Sequence, residues 1–96
     1  MPQAVEFIEA SLPGAKAYDW SGAIEVDDDE SFEHAFDRVR KEQDPGYQPS
    51  IKHEWFYLVP GGQPVPISQN DSIGSLRFPW KNGAQIVLLP VTAINV

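Results

Sequence analysis

Hydrophobic positions recur along this chain with two different periods, and the period changes where the elements change. In "DDDESFEHAFDRVRKEQ", Phe32, Ala35, Phe36 and Val39 stand at i, i+3, i+4 and i+7. That spacing puts all four on one stripe of a helix. Asp27, Asp28, Asp29 and Glu30 crowd its start, and Arg38, Arg40 and Lys41 lie toward its end, both favourable to the helix dipole. Asp27 or Asp28 is the expected N-cap, and Asp27-x-x-Glu30 has capping-box spacing. Pro45-Gly46 ends the helix.

Elsewhere the period is two. Ala4 to Leu12 predicts a first strand, with Val5 and Phe7 alternating and an apolar break at Ile8. Pro13-Gly14 turns the chain into a second strand with Tyr18, Trp20, Ile24 and Val26 at alternate positions. Gly22 marks an expected bulge at Ser21-Gly22, and the two strands make a hairpin. After the helix, His53 to Val59 reads as a strand, Gly61-Gly62 as a turn, and Val65 to Ile67 as a short strand. Pro60, Pro64 and Pro66 confine that short strand to a sheet edge. Ile73 and Leu76 in "NDSIGSL" fit one helical turn. Lys81-Asn82-Gly83 then leads into "AQIVLLP", apolar enough for a central strand covered on both faces.

The order is β-β-α-β-β-(short turn)-β, a single domain over residues 1–96. It resembles the ubiquitin-like β-grasp family over nearly the whole chain. The likeness rests on a hairpin followed by a capped helix of about three turns, a strand ending in a Gly turn, the polar loop "NDSIGSL" with its aliphatics, and the closing strand "NGAQIVLL". The closing strand matches best, whereas the first hairpin is longer than is usual. The resemblance implies an α+β fold, a mixed sheet of four to five strands packed on one helix. It also implies that partners bind the exposed sheet face through the third and last strands. Conjugated members carry a terminal Gly-Gly, whereas this sequence closes with Ile94-Asn95-Val96. The expected role is therefore a non-conjugated interaction module, or a small subunit of a larger assembly.

Charge narrows the partners. Seven basic residues face fourteen acidic ones, a formal net charge of −7. Nucleic acid is not an expected partner, since phosphate neutralisation needs clustered Lys and Arg. Basic protein surfaces would be favoured at encounter. A second role fits the charge too: an acidic inhibitor or immunity-type protein that covers a basic active site with Asp27 to Glu30 and Glu33. The N-terminal stretch lacks a cationic region and carries Glu6 and Glu9 within its apolar part, so no signal peptide is predicted. There is no run of about 18 apolar residues, so no membrane span is expected and the cytoplasm is the expected location.

No catalytic pattern emerges, and neither an enzyme nor a cofactor is expected. There is no cysteine, and no serine stands in a G-x-S-x-G elbow. His34 and His53 lack metal-ligand spacing and are expected to be solvated or to cap. The acidic run fails as a calcium loop, because the sixth position from Asp27 is not glycine and the twelfth is Arg38. Surfaces remain. Alternation splits the third strand into Trp55, Tyr57 and Val59 against Phe56 and Leu58, and the last into Ile86 and Leu88 against Val87 and Leu89. Period alone does not say which set faces the helix. Taking Phe56, Leu58, Val87 and Leu89 as outward makes them candidate protein-binding residues, unless the N-terminal segment or the tail covers that face. Trp80 is the fifth candidate, as an anchor at a loop tip, with a lid over the core as its alternative.

Overall fold

Helix α1 (Phe32–Gln43) buries the four residues of the predicted stripe, Phe32, Ala35, Phe36 and Val39. The computed structural model describes residues 2–10, 20–48, 52–81 and 83–91. Among them the helix is preceded by β1 (Gln3–Glu9) and β2 (Trp20–Val26). It is followed by β3 (His53–Leu58), β4 (Val65–Ile67), a 3-10 turn at Ile73–Ser75 and β5 (Gln85–Pro90). The strands form one sheet in the order β2-β1-β5-β3-β4. β1 and β5 run parallel, and the other neighbours are antiparallel. One helix packed on one face of a five-stranded mixed sheet is a β-grasp-like α+β arrangement. The most apolar strand, β5, takes the centre, and proline-containing β4 takes an edge, as backbone hydrogen bonding requires.

The core lies between helix and sheet. Val5 and Phe7 of β1, Trp55 and Tyr57 of β3, and Ile86 and Leu88 of β5 meet the helical stripe, with Val26 and Ile73 closing the ends. Phe36 is its hub. Its ring meets those of Phe7, Trp20 and Trp55 edge-on, each at a centroid distance of 5.7 Å. The β3–β4 hairpin turns through Pro60-Gly61, where the Gly62 amide donates to the Val59 carbonyl at 2.8 Å and Gly61 has φ +80°. Proline second and a positive-φ glycine third are the residues a type II turn demands.

Several expectations change. The helix is capped by Ser31, whose hydroxyl accepts from the His34 amide at 3.2 Å, and neither Asp27 nor Asp28 is the cap. The next donors are met by a distant loop: the Phe32 amide reaches the Asp71 carbonyl at 2.8 Å, and the Glu33 amide reaches that of Gln69 at 3.0 Å. The acidic run forms a turn instead, with the Glu30 amide on the Asp27 carbonyl. β1 ends at Glu9, short of the predicted limit, although the Ala10 amide still donates to the Leu88 carbonyl. No bulge forms at Ser21-Gly22, because pairing runs unbroken from Gln3↔Val26 to Glu9↔Trp20. Gly22 is needed for space: a Cβ there would lie 2.7 Å from two ring atoms of Trp20. The predicted Pro13-Gly14 turn, the Leu12 and Tyr18 positions, Asn82 and the tail from Thr92 to Val96 lie outside the described residues.

Candidate functional site

The helix fixes which alternate set of each strand turns away from it. Since Trp55, Tyr57, Ile86 and Leu88 are in the helix-side core, Phe56, Leu58, Val87 and Leu89 stand on the opposite face of the sheet. Register joins them into rows. Val87 of β5 lies between Ile8 of β1 and Phe56 of β3, and Phe56 lies beside Pro66 of β4. Ile8, Val87, Phe56 and Pro66 therefore form an apolar row across four strands. On one side the next row is Glu6, Gln85 and Leu58; on the other, Leu89 stands opposite Glu54. Phe56, Leu58 and Val87 are half-buried and Pro66 is exposed, whereas Ile8 and Leu89 are buried, at 2% and 9% exposure. The accessible apolar groups of this face are thus Phe56, Leu58, Val87 and Pro66. Leu89 and Ile8 make its floor.

Trp80 is not part of this face. Its ring sits 5.3 Å from that of Tyr57 and 6.1 Å from that of Phe32, half-buried against the helix-side core. Tyr57 also meets Phe78 at 4.6 Å, and its hydroxyl accepts from the Lys81 amide at 3.2 Å. Trp80 has the position of a lid over one end of the core. The four strand candidates come together on one surface, and the fifth lies on the other side of the sheet.

Ile8, Pro66, Glu6 and Glu54 belong to the same surface but were not among the sequence candidates. For Ile8 a signal existed. Apolar side chains at the consecutive positions Phe7 and Ile8 mark a strand covered on both faces.

Some of the ionisable groups are engaged with one another. Glu30 accepts from Arg38 through both carboxylate oxygens, at 2.9 and 3.1 Å, and lies 2.6 Å from Nδ1 of His34. Burial alone would raise the Glu30 carboxyl, but the hydrogen bonds and charges of Arg38 and His34 outweigh it and hold the group below its ordinary value. Arg38 also donates to the Glu25 carbonyl at 2.7 Å, which ties the helix to β2. Glu33 accepts from Gln69. The acidic run therefore gives Glu30 to the fold and leaves Asp27, Asp28 and Asp29 exposed.

A second cluster closes the other end. Arg40 stacks between Trp20 and Tyr47, 4.5 and 4.3 Å from their ring centres, and lies 3.5 Å from Glu9. His53 lies 3.5 Å from the same carboxylate, and its ring packs 6.1 Å from that of Phe36. Its side chain is 8% exposed, so His53 is a packed residue and not the solvated one expected, whereas His34 is 70% exposed. The cause is inward parity: His53 falls on the same side of β3 as Trp55 and Tyr57.

Among the described residues, no three His, Cys, Asp or Glu side chains are grouped to hold a metal ion, and no helix is long and apolar enough to cross a membrane. No protein-family model, curated protein or solved structure matches the chain.

Proposed function

We propose that this chain is an interaction module of the ubiquitin-like kind, which docks another protein through the sheet face turned away from its helix. The supporting observation is the apolar row Ile8, Val87, Phe56 and Pro66, with Leu58 beside it. A sheet face left to solvent ordinarily carries polar residues at alternate positions of its strands. Here the two central pairs put Phe, Val and Leu outward instead. Partly accessible apolar side chains at Phe56, Leu58, Val87 and Pro66 on neighbouring strands are of the kind that marks protein contacts.

The test is a Phe56→Asp variant, which places a charge in the middle of the row and leaves the helix-side core intact. Both proteins serve as bait in extract from the source cell, with captured proteins quantified by mass spectrometry and folding checked by circular dichroism. A partner retained by the parent protein and lost from a folded Phe56→Asp variant supports the reading. Identical captured sets from the two baits overturn it.

A further inference from the structure

Resting on that docking reading, we infer that the partner presents an apolar side chain set between lysine or arginine residues. The inference comes from the charges on the docking face. Outward strand positions are Ala4, Glu6 and Ile8 on β1, Ser21, Ala23 and Glu25 on β2, Glu54, Phe56 and Leu58 on β3, Pro66 on β4, and Gln85, Val87 and Leu89 on β5. Glu6, Glu25 and Glu54 are acidic, and none of the outward strand positions is basic. Among the described residues the cations lie off these strand positions, with Arg77 in the loop between the 3-10 turn and β5. Arg38, Arg40 and Lys41 are on the helix and paired with Glu30, Glu9 and Asp37. Lys52 lines a cleft with the helix residues Phe36 and Asp37, and Lys81 lines one with Tyr57 and Phe78.

The carboxylates straddle the apolar row. Glu6 stands in the row on one side, where the Gln85 amide donates to it at 2.7 Å, and Glu54 is in the row on the other, opposite Leu89. An amide partner leaves the Glu6 charge in place. Glu6 and Glu54 are two strands and two rows apart, so their Cα atoms are about 16 Å apart from strand spacing and rise per residue. A neutral partner pressed onto this face would strip water from both carboxylates without replacing it. A second copy of the chain, docked through the same face, would set carboxylates against carboxylates. A partner with cations on either side of an apolar knob replaces the lost hydration and gains from the net charge of −7 at encounter. Specificity then comes from rejecting neutral and acidic surfaces as much as from attracting the right one.

A random peptide display library selected on the purified protein tests this directly, with Phe56→Asp and Glu6→Gln/Glu54→Gln proteins as counter-screens. The expected peptides lose binding to Phe56→Asp and carry Lys and Arg enriched about threefold over the library beside an apolar residue. That enrichment should disappear when selection is repeated on the Glu6→Gln/Glu54→Gln protein. Peptides that need Phe56 but show no basic enrichment overturn the charge inference and leave the docking reading standing. Peptides indifferent to Phe56→Asp, or failure to select any, overturn both. Leu58→Ser is a milder second face variant, and it replaces Phe56→Asp in the counter-screen if the latter does not fold.

Discussion

Replacing Phe36 with alanine tests whether the helix is held to the sheet by the packing described. The side chain is 5% exposed, and its ring meets Phe7, Trp20, Trp55, His53 and Tyr47 edge-on at centroid distances between 5.7 and 6.3 Å. Truncating a buried Phe removes its transfer free energy and leaves a cavity, at a cost of about 3–5 kcal/mol. Edge-to-face pairs add about 0.5–1.5 kcal/mol each beyond area, though not additively, which places Phe36 toward the upper end. A domain of this size has a total stability of about 5–15 kcal/mol. The variant should therefore melt about 12–40 °C lower, at about 4–8 °C per kcal/mol. Urea titration followed by tryptophan fluorescence measures the change, since Trp20 and Trp55 both touch the lost ring. Phe36→Leu, which keeps much of the volume, should cost less than half as much. The exposed Glu42→Ala should stay within about 0.5 kcal/mol. If Phe36→Ala unfolds at the same urea concentration as Glu42→Ala, the helix is not docked and the face assignment fails with it.

Three further outcomes follow from local geometry. Gly22→Ala should cost about 1–3 kcal/mol in denaturant titration, because the added methyl forces Trp20 away from Phe36, Arg40 and its 3.0 Å bond to Gln43. A neutral result would mean that the Trp20 ring is not held there. Ser31→Ala should cost about 1 kcal/mol, as for other N-caps, whereas Asp27→Asn and Asp28→Asn should leave the melting curve nearly unchanged. Glu30 has its folded-state pKa depressed, so its pairing with Arg38 and His34 stabilises the fold above the ordinary carboxylate value and is lost as pH falls through the folded one. Glu30→Gln should therefore be less stable at neutral pH, by about 1 kcal/mol or less for so exposed an arginine partner. The two stability curves should converge under acid, and curves that stay parallel to low pH would show that the pairing contributes nothing.

The elements were legible because their periods are unambiguous. A stripe of Phe32, Ala35, Phe36 and Val39 has no strand reading, and "AQIVLLP" is too apolar for an edge. What could not be read was anything decided by a contact far along the chain. The Asp27–Glu30 run has the composition of a helix start, yet the cap is Ser31, directly before the first apolar position of the stripe, and the carbonyls of Gln69 and Asp71 satisfy the Glu33 and Phe32 amides. Those carbonyls are almost forty positions away, and local propensity carries no trace of them. Gly22 misled for a related reason. Glycine in a strand signals either a bulge or a close approach, and the approaching group, the Trp20 ring, is held in place by the helix residues Phe36, Arg40 and Gln43.

The outer face of the sheet shows the same division more sharply. Alternation within β3 and β5 paired Phe56 with Leu58 and Val87 with Leu89, but a strand apolar at every position is symmetric between its two faces. The helix breaks that symmetry, because its rings select Trp55 and leave Phe56 outside. The parallel pairing of β1 with β5 then extends the surface beyond the strands that alternation could identify. It sets Ile8 against Val87 and Glu6 against Gln85, a register in which the apolar positions of the two strands coincide. Shifting that register by one residue would put Glu6 or Glu9 where Ile8 or Phe7 now packs, and bury a carboxylate against apolar neighbours at the centre of the sheet. The cost of that error ties Phe7 to the core and Ile8 to the outer row at once. The mixture of apolar floor and acidic flanks on the outer face is thus a consequence of how the core is packed on the other side.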